Sequence, residues 1–112
     1  MNAYALLRKL SGLSIGEAAD YHGARADTVK RWNNGRDDPP AGVLVELRDL
    51  IEQQERMAAA LLAIYREQVA DRGKPEEIRT NWDPAEWPCR SAAAMALARV
   101  AAQVSVPVEL LD

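Results

Sequence analysis

The chain of 112 residues contains no phenylalanine, one cysteine and one histidine. Cys89 cannot close an intramolecular disulfide by itself, and Cys89 with His22 cannot assemble a structural zinc site. Aromatic residues make up only 5% of the chain, so the core must come from Leu, Val, Ile and the twenty alanines. That vocabulary favours close-packed helices. No apolar run approaches the ~18 residues that span a bilayer. The N-terminus also lacks the basic-then-apolar order of a signal peptide, so a cytoplasmic protein is expected. There is no nucleophile–base pair and no glycine-rich phosphate loop, so neither an enzyme nor a cofactor or small-molecule ligand is expected. The length excludes two full-sized domains. The 48% hydrophobic and 28% charged content excludes a disordered chain.

Helical spacing organises most of what is present. Leu6, Leu7 and Leu10 predict a short first helix over 1–11 with those leucines inward and Gly12 as its C-cap. Ser14 and Glu17 form a capping-box pattern that opens a second helix ending at Gly23. A third short helix follows over 24–34, with Val29 and Trp32 facing inward. Asp37-Asp38-Pro39-Pro40 breaks the chain. From Ala41 to Arg72 no proline occurs, and Val43, Leu44, Leu47, Leu50, Ile51, Met57, Ala58, Leu61, Leu62, Tyr65 and Val69 hold a 3-and-4 stripe. This reads as one helix of about 48 Å at 1.5 Å per residue, stopped by Gly73 and Pro75. Glu77–Trp82 alternates as a strand with Ile78, Thr80 and Trp82 on one face. Asp83–Glu86 reads as a single turn, and Arg90–Gln103 as a last helix apolar nearly all round. Val104–Leu111, interrupted by Pro107, is at best an edge strand. The expected fold is mainly α: an N-terminal bundle over 1–56, then a long-helix continuation with a small strand-plus-helix element over 57–112.

Two short helices joined through Gly23 have the layout of a helix-turn-helix. In register, Leu13-Ser14, Glu17, Ala19, Gly23, Thr28-Val29, Arg31-Trp32 and Gly35 resemble the Cro and repressor type (XRE-like) helix-turn-helix family without an insertion. Physically, Ala19 is small where the helices touch, Gly23 makes the turn, and Val29 and Trp32 anchor the third helix. The resemblance covers about 4–50 and implies a lambda-repressor-like bundle whose third helix lies in the DNA major groove. Over nearly the full length the chain is also similar to anti-CRISPR-associated (Aca) regulators. The features that carry this are Leu7-Arg8-Lys9-Leu10, Glu17-Ala18-Ala19, Trp32 with Gly35-Arg36, the long helix after Pro40, and the Lys74-Pro75, strand, helix tail. This second resemblance implies a homodimeric repressor on an inverted repeat in its own operon. Arg25 departs from the family's Ser/Thr cap, and His22 and Ala24 from larger apolar residues.

The resemblance implies that Arg25, Ala26, Asp27, Lys30 and Arg31 meet base edges, and that Ser14, Thr28, Asn34 and Arg36 meet phosphates. Arg offers a donor fork to guanine O6/N7, Asp accepts from cytosine N4, and Ala26 suits a thymine methyl. Asp27 has a second reading, as an acid favoured by the dipole in a helix's first turn. His22 reads as a packing residue, Trp32 as core and Cys89 as an inert apolar side chain. The net charge of -3 speaks against a nucleic-acid partner until it is divided. Residues 1–36 hold six basic groups against three acidic ones, +3, and the remainder eight against fourteen, -6. Local sign decides phosphate attraction within a Debye length of ~8–10 Å.

The second half suggests a partner of its own kind. A helix extending past its domain, a strand with no strong second strand, and an all-round alanine helix leave surface uncovered in a monomer. A two-fold dimer through Ile78, Thr80 and Trp82, or through the last helix with Met95 and Ala98, covers it. Such a dimer holds two recognition helices about 34 Å apart. The alternative function is the antitoxin of a toxin–antitoxin operon, which binds DNA and blocks a toxin protein.

Overall fold

The computed structural model describes residues 1–112. It is mainly helical with a small parallel sheet. The elements are α1 (Ala3–Ser11), α2 (Ile15–His22), α3 (Ala26–Asn33), α4 (Ala41–Arg72), β1 (Ile78–Asn81), α5 (Arg90–Ala101) and β2 (Val108–Leu111). Two compact units divide the chain, 1–52 and 53–112, and α4 contributes to both. No helix is long and apolar enough to cross a membrane.

In the first unit, local chemistry sets the helix ends. Asn2 caps α1 by accepting the Ala5 N–H at 2.9 Å, and Gly12 ends it at φ 80°. Ser14 Oγ accepts the Glu17 N–H at 3.1 Å while Glu17 Oε1 accepts the Ser14 N–H at 2.9 Å, so the capping box forms. Gly23 ends α2 at φ 67°, a left-handed conformation that a Cβ disfavours. The third helix is shorter than 24–34, because Arg25 is extended at φ -83°, ψ 147°.

The inward face of α1 differs from the sequence expectation. Leu6 and Leu10 are 54% and 51% exposed, whereas Tyr4 and Ala5 are buried. Leu6 lies about 200° round the helix from Tyr4 at 100° per residue, so burying one exposes the other. Tyr4 takes the inward place because its ring meets Trp32 edge-on at 5.7 Å. The unit's core comprises Tyr4, Leu13, Ala18, Ala19, Val29, Trp32, Val43, Leu47, Leu50 and Ile51.

In the second unit, Ala58 and Leu62 of α4 pack with Leu97 and Val100 of α5, flanked by Leu61, Ile78, Val104, Val108 and Leu110. Gln54 is fully buried and its Nε2 donates to the Ala92 carbonyl at 2.9 Å. Strands β1 and β2 pair in parallel, Ile78 opposite Val108 and Asn81 opposite Leu111. Parallel strands require a crossover, and α5 supplies it.

This pairing corrects the strand argument. The strand of 78–81 has a partner inside the chain, so it does not call for a second copy. Ile78 packs on its own unit's core, and Trp82 lies beyond the strand. The C-terminal segment is paired because Pro107 orders its entry, its carbonyl accepting the Ile78 N–H at 2.8 Å. The last helix ends at Ala101 rather than Gln103. Its alanines Ala92, Ala93 and Ala96 are fully buried within the unit.

Candidate nucleic-acid interface

Helix α3 is fastened on one side and open on the other. Val29 and Trp32 are buried. The Trp32 ring meets Tyr4 at 5.7 Å and His22 at 6.1 Å, both edge-on. Two polar ties from α1 and its cap reach α3, and a third steadies the turn before α2. Asn2 Nδ2 donates to the Trp32 carbonyl at 2.9 Å, Arg8 Nε to Asn33 Oδ1 at 3.1 Å, and Arg8 Nη1 to the Leu13 carbonyl at 2.7 Å. Arg8 is therefore a brace between α1, the start of α2 and the end of α3.

At 100° per residue, Asp27, Lys30 and Arg31 project opposite Val29 and Trp32. All three are exposed, as are Arg25 and Ala26 at the helix start. The five residues expected at base edges thus share one solvent-facing end and side of α3. Arg25 makes no side-chain cap, so its guanidinium serves no bond in the helix start. Arg31 is engaged: its Nε lies 3.0 Å from Asp37 Oδ2, and the Asp37 N–H donates to the Arg31 carbonyl at 3.2 Å.

The residues expected at phosphates differ more among themselves. Asn34 and Arg36 are exposed and follow α3 directly. Asn34 Oδ1 accepts the Arg36 N–H at 3.0 Å, which fixes the loop that carries the Arg36 side chain. Thr28 is half-buried on the helix flank. Ser14 is exposed, but both its N–H and the Glu17 N–H are satisfied inside the capping box. Only its hydroxyl proton is left to donate outward, beside the Glu17 carboxylate.

Behind α3 lies a polar-aromatic cluster. The His22 side chain is fully buried, with Nδ1 3.3 Å from Glu46 Oε1 and Nε2 without a partner. Burial lowers its pKa below 6.5, while the Glu46 carboxylate pulls in the opposite direction. Tyr21 donates to the Glu46 carbonyl at 3.1 Å, and burial raises its phenol pKa. Burial pushes the Tyr4 phenol up to about 12, and its hydroxyl has no partner.

Sequence reasoning gave Asn2, Arg8, Asp37 and Glu46 no role in the site. Asn2 carried a readable signal, a short polar residue just ahead of a helix. The other three act across turns or between helices, where spacing alone carries no information.

In the second unit, Met95 is half-buried and Ala98 exposed on α5. Ala98 lines a shallow apolar cleft of about 180 Å³ with Ala94, Leu97, Ala101, Val108 and Leu110. Thr80 and Ile78 are half-buried on β1.

The chain matches no protein-family model, no curated protein and no solved structure.

Proposed function

We propose that the chain is a sequence-specific DNA-binding transcriptional repressor, with α2 and α3 as its helix-turn-helix and α3 as the recognition helix. It is neither an enzyme nor dependent on a cofactor. The observation that carries this reading is the outer side of α3. Asp27, Lys30 and Arg31 stand exposed with Arg25 and Ala26, on a helix whose other side is fixed by Val29, Trp32 and the ties from Asn2 and Arg8. A rigid helix presenting forked and point-charge donors suits base edges. Arg36 and Asn34 flank it for phosphate contact, and the local charge of 1–36 is positive although the chain is acidic.

The protein acts as a homodimer on an inverted repeat, and by its whole-chain resemblance it is the autorepressor of a phage or mobile-element anti-CRISPR operon. The apolar cleft around Ala98 supports a second copy as its occupant. Its place of action is the cytoplasm of the host.

Selection of duplexes from a random-sequence library by the full-length protein tests the reading. An enriched site with two-fold symmetry is expected. On that site Arg31→Ala should lose discrimination at one base pair, by about 1–3 kcal/mol for a bidentate contact. Arg36→Ala should weaken all sequences alike and lower the salt slope by ~0.9. A library that yields no enriched site refutes DNA reading.

A further inference from the structure

We infer that Asp37 is a positioning residue for base recognition by Arg31, setting specificity without itself touching DNA. The inference rests on α3 being the recognition helix. Three observations carry it. The ion pair is made through Nε of Arg31, at 3.0 Å from Asp37 Oδ2. Asp37 is itself fixed, because its N–H donates back to the Arg31 carbonyl at 3.2 Å. The intervening loop is closed by the Arg36 N–H on Asn34 Oδ1 at 3.0 Å and by Gly35 at φ 81°.

The chemistry follows from the shape of guanidinium. It is a planar group with five N–H donors in a rigid fork. A carboxylate 3.0 Å from Nε restricts the group's swing electrostatically and leaves the terminal amino groups, Nη1 and Nη2, as the pair for base contact. That pair is the fork that spans guanine O6 and N7. The Arg31 side chain is 53% exposed, so it is open to solvent and to a partner. An unpaired arginine on a helix surface must give up rotamer freedom when it binds; one held by Asp37 has given it up beforehand. Two rival roles make different predictions. A plain surface ion pair contributes ~0–1 kcal/mol to stability and nothing to recognition. An electrostatic brake, in which Asp37 merely cancels positive charge, weakens binding to every sequence equally.

Asp37→Asn separates them, since it removes the charge while keeping the size and the backbone N–H. The full-length wild type, Asp37→Asn, Arg31→Ala and the double variant are titrated against the duplex selected by the wild-type protein. The same duplexes carrying each single base-pair change serve as competitors. Asp37→Asn is expected to lower discrimination at the Arg31-dependent base pair about tenfold, within the range a bidentate contact supplies. The double variant should discriminate no worse there than Arg31→Ala. Equal strengthening of all sequences, or no change in any, overturns the inference. If the selected site is bound but Arg31→Ala leaves every base preference intact, the inference fails while DNA binding stands. If no site is selected, the DNA reading fails first and takes the inference with it.

Discussion

Acid should destabilise the first unit through His22. Its imidazole is fully buried, with Nδ1 3.3 Å from Glu46 Oε1. A neutral ring protonated on Nδ1 donates to that carboxylate and leaves a bare lone pair on Nε2, which has no partner. A second proton would place an N–H at Nε2 with nothing to accept it. The folded pKa is therefore held below 6.5 by burial, and the attraction of Glu46 for the cation offsets only part of this. As pH falls through about 6.5 the unfolded chain takes up the proton first. Stability contributed by the neutral ring is thus complete above that value and is lost as pH falls, until the folded pKa is passed. One proton limits the slope to about 1.4 kcal/mol per pH unit. The chain has a single histidine, so its imidazole proton signal in NMR is unambiguous, and its midpoint should lie below 6.5. Urea unfolding of wild type and His22→Phe, from neutral to mildly acidic buffer, supplies the energy. The variant keeps a ring against Tyr4, Tyr21 and Trp32, and Glu46, 42% exposed, regains water. The stability difference should be flat above neutrality and tilt against the wild type below it. Parallel curves, or a midpoint above 6.5, would mean that Glu46 outweighs burial and would refute the reasoning.

Gly23→Ala should cost about 1–2 kcal/mol, the left-handed backbone penalty alone, because a Cβ there meets nothing within 4 Å. Gly23→Asn should cost less, since Asn tolerates that conformation, and equal losses in urea melts would contradict the assignment. Light scattering should give a dimer for the wild type at micromolar concentration and a monomer for Ala98→Glu, which places a charge in the apolar cleft. A monomeric wild type removes the dimer.

What could be read from the sequence was the information carried by near neighbours. The Ser14–Glu17 box, the stops at Gly12, Gly23 and Gly73, and the single run of α4 from Ala41 to Arg72 each depend on a few adjacent residues. The exposure of Lys30 and Arg31 followed from the same periodicity that buried Val29 and Trp32. The face of α1 was misread because three leucines outweighed one tyrosine by count, whereas an aromatic ring fills the space beside Trp32 better. Strand pairing was missed because Ile78 and Val108 lie far apart in the chain, and β2 is short and follows a proline. The bond between Arg31 and Asp37 was invisible for a related reason: it depends on how a loop closes, not on helical spacing.

The parallel pairing of β1 with β2 gives the C-terminal residues an unexpected weight. Ile78–Asn81 has its ladder partner in Val108–Leu111, and Val108 and Leu110 also cover the cluster around Leu97 and Val100. Trimming the chain back past Pro107 would leave the backbone of one strand unsatisfied and open the side of a small core. Val108–Leu111 thus behaves as a clasp on the second unit.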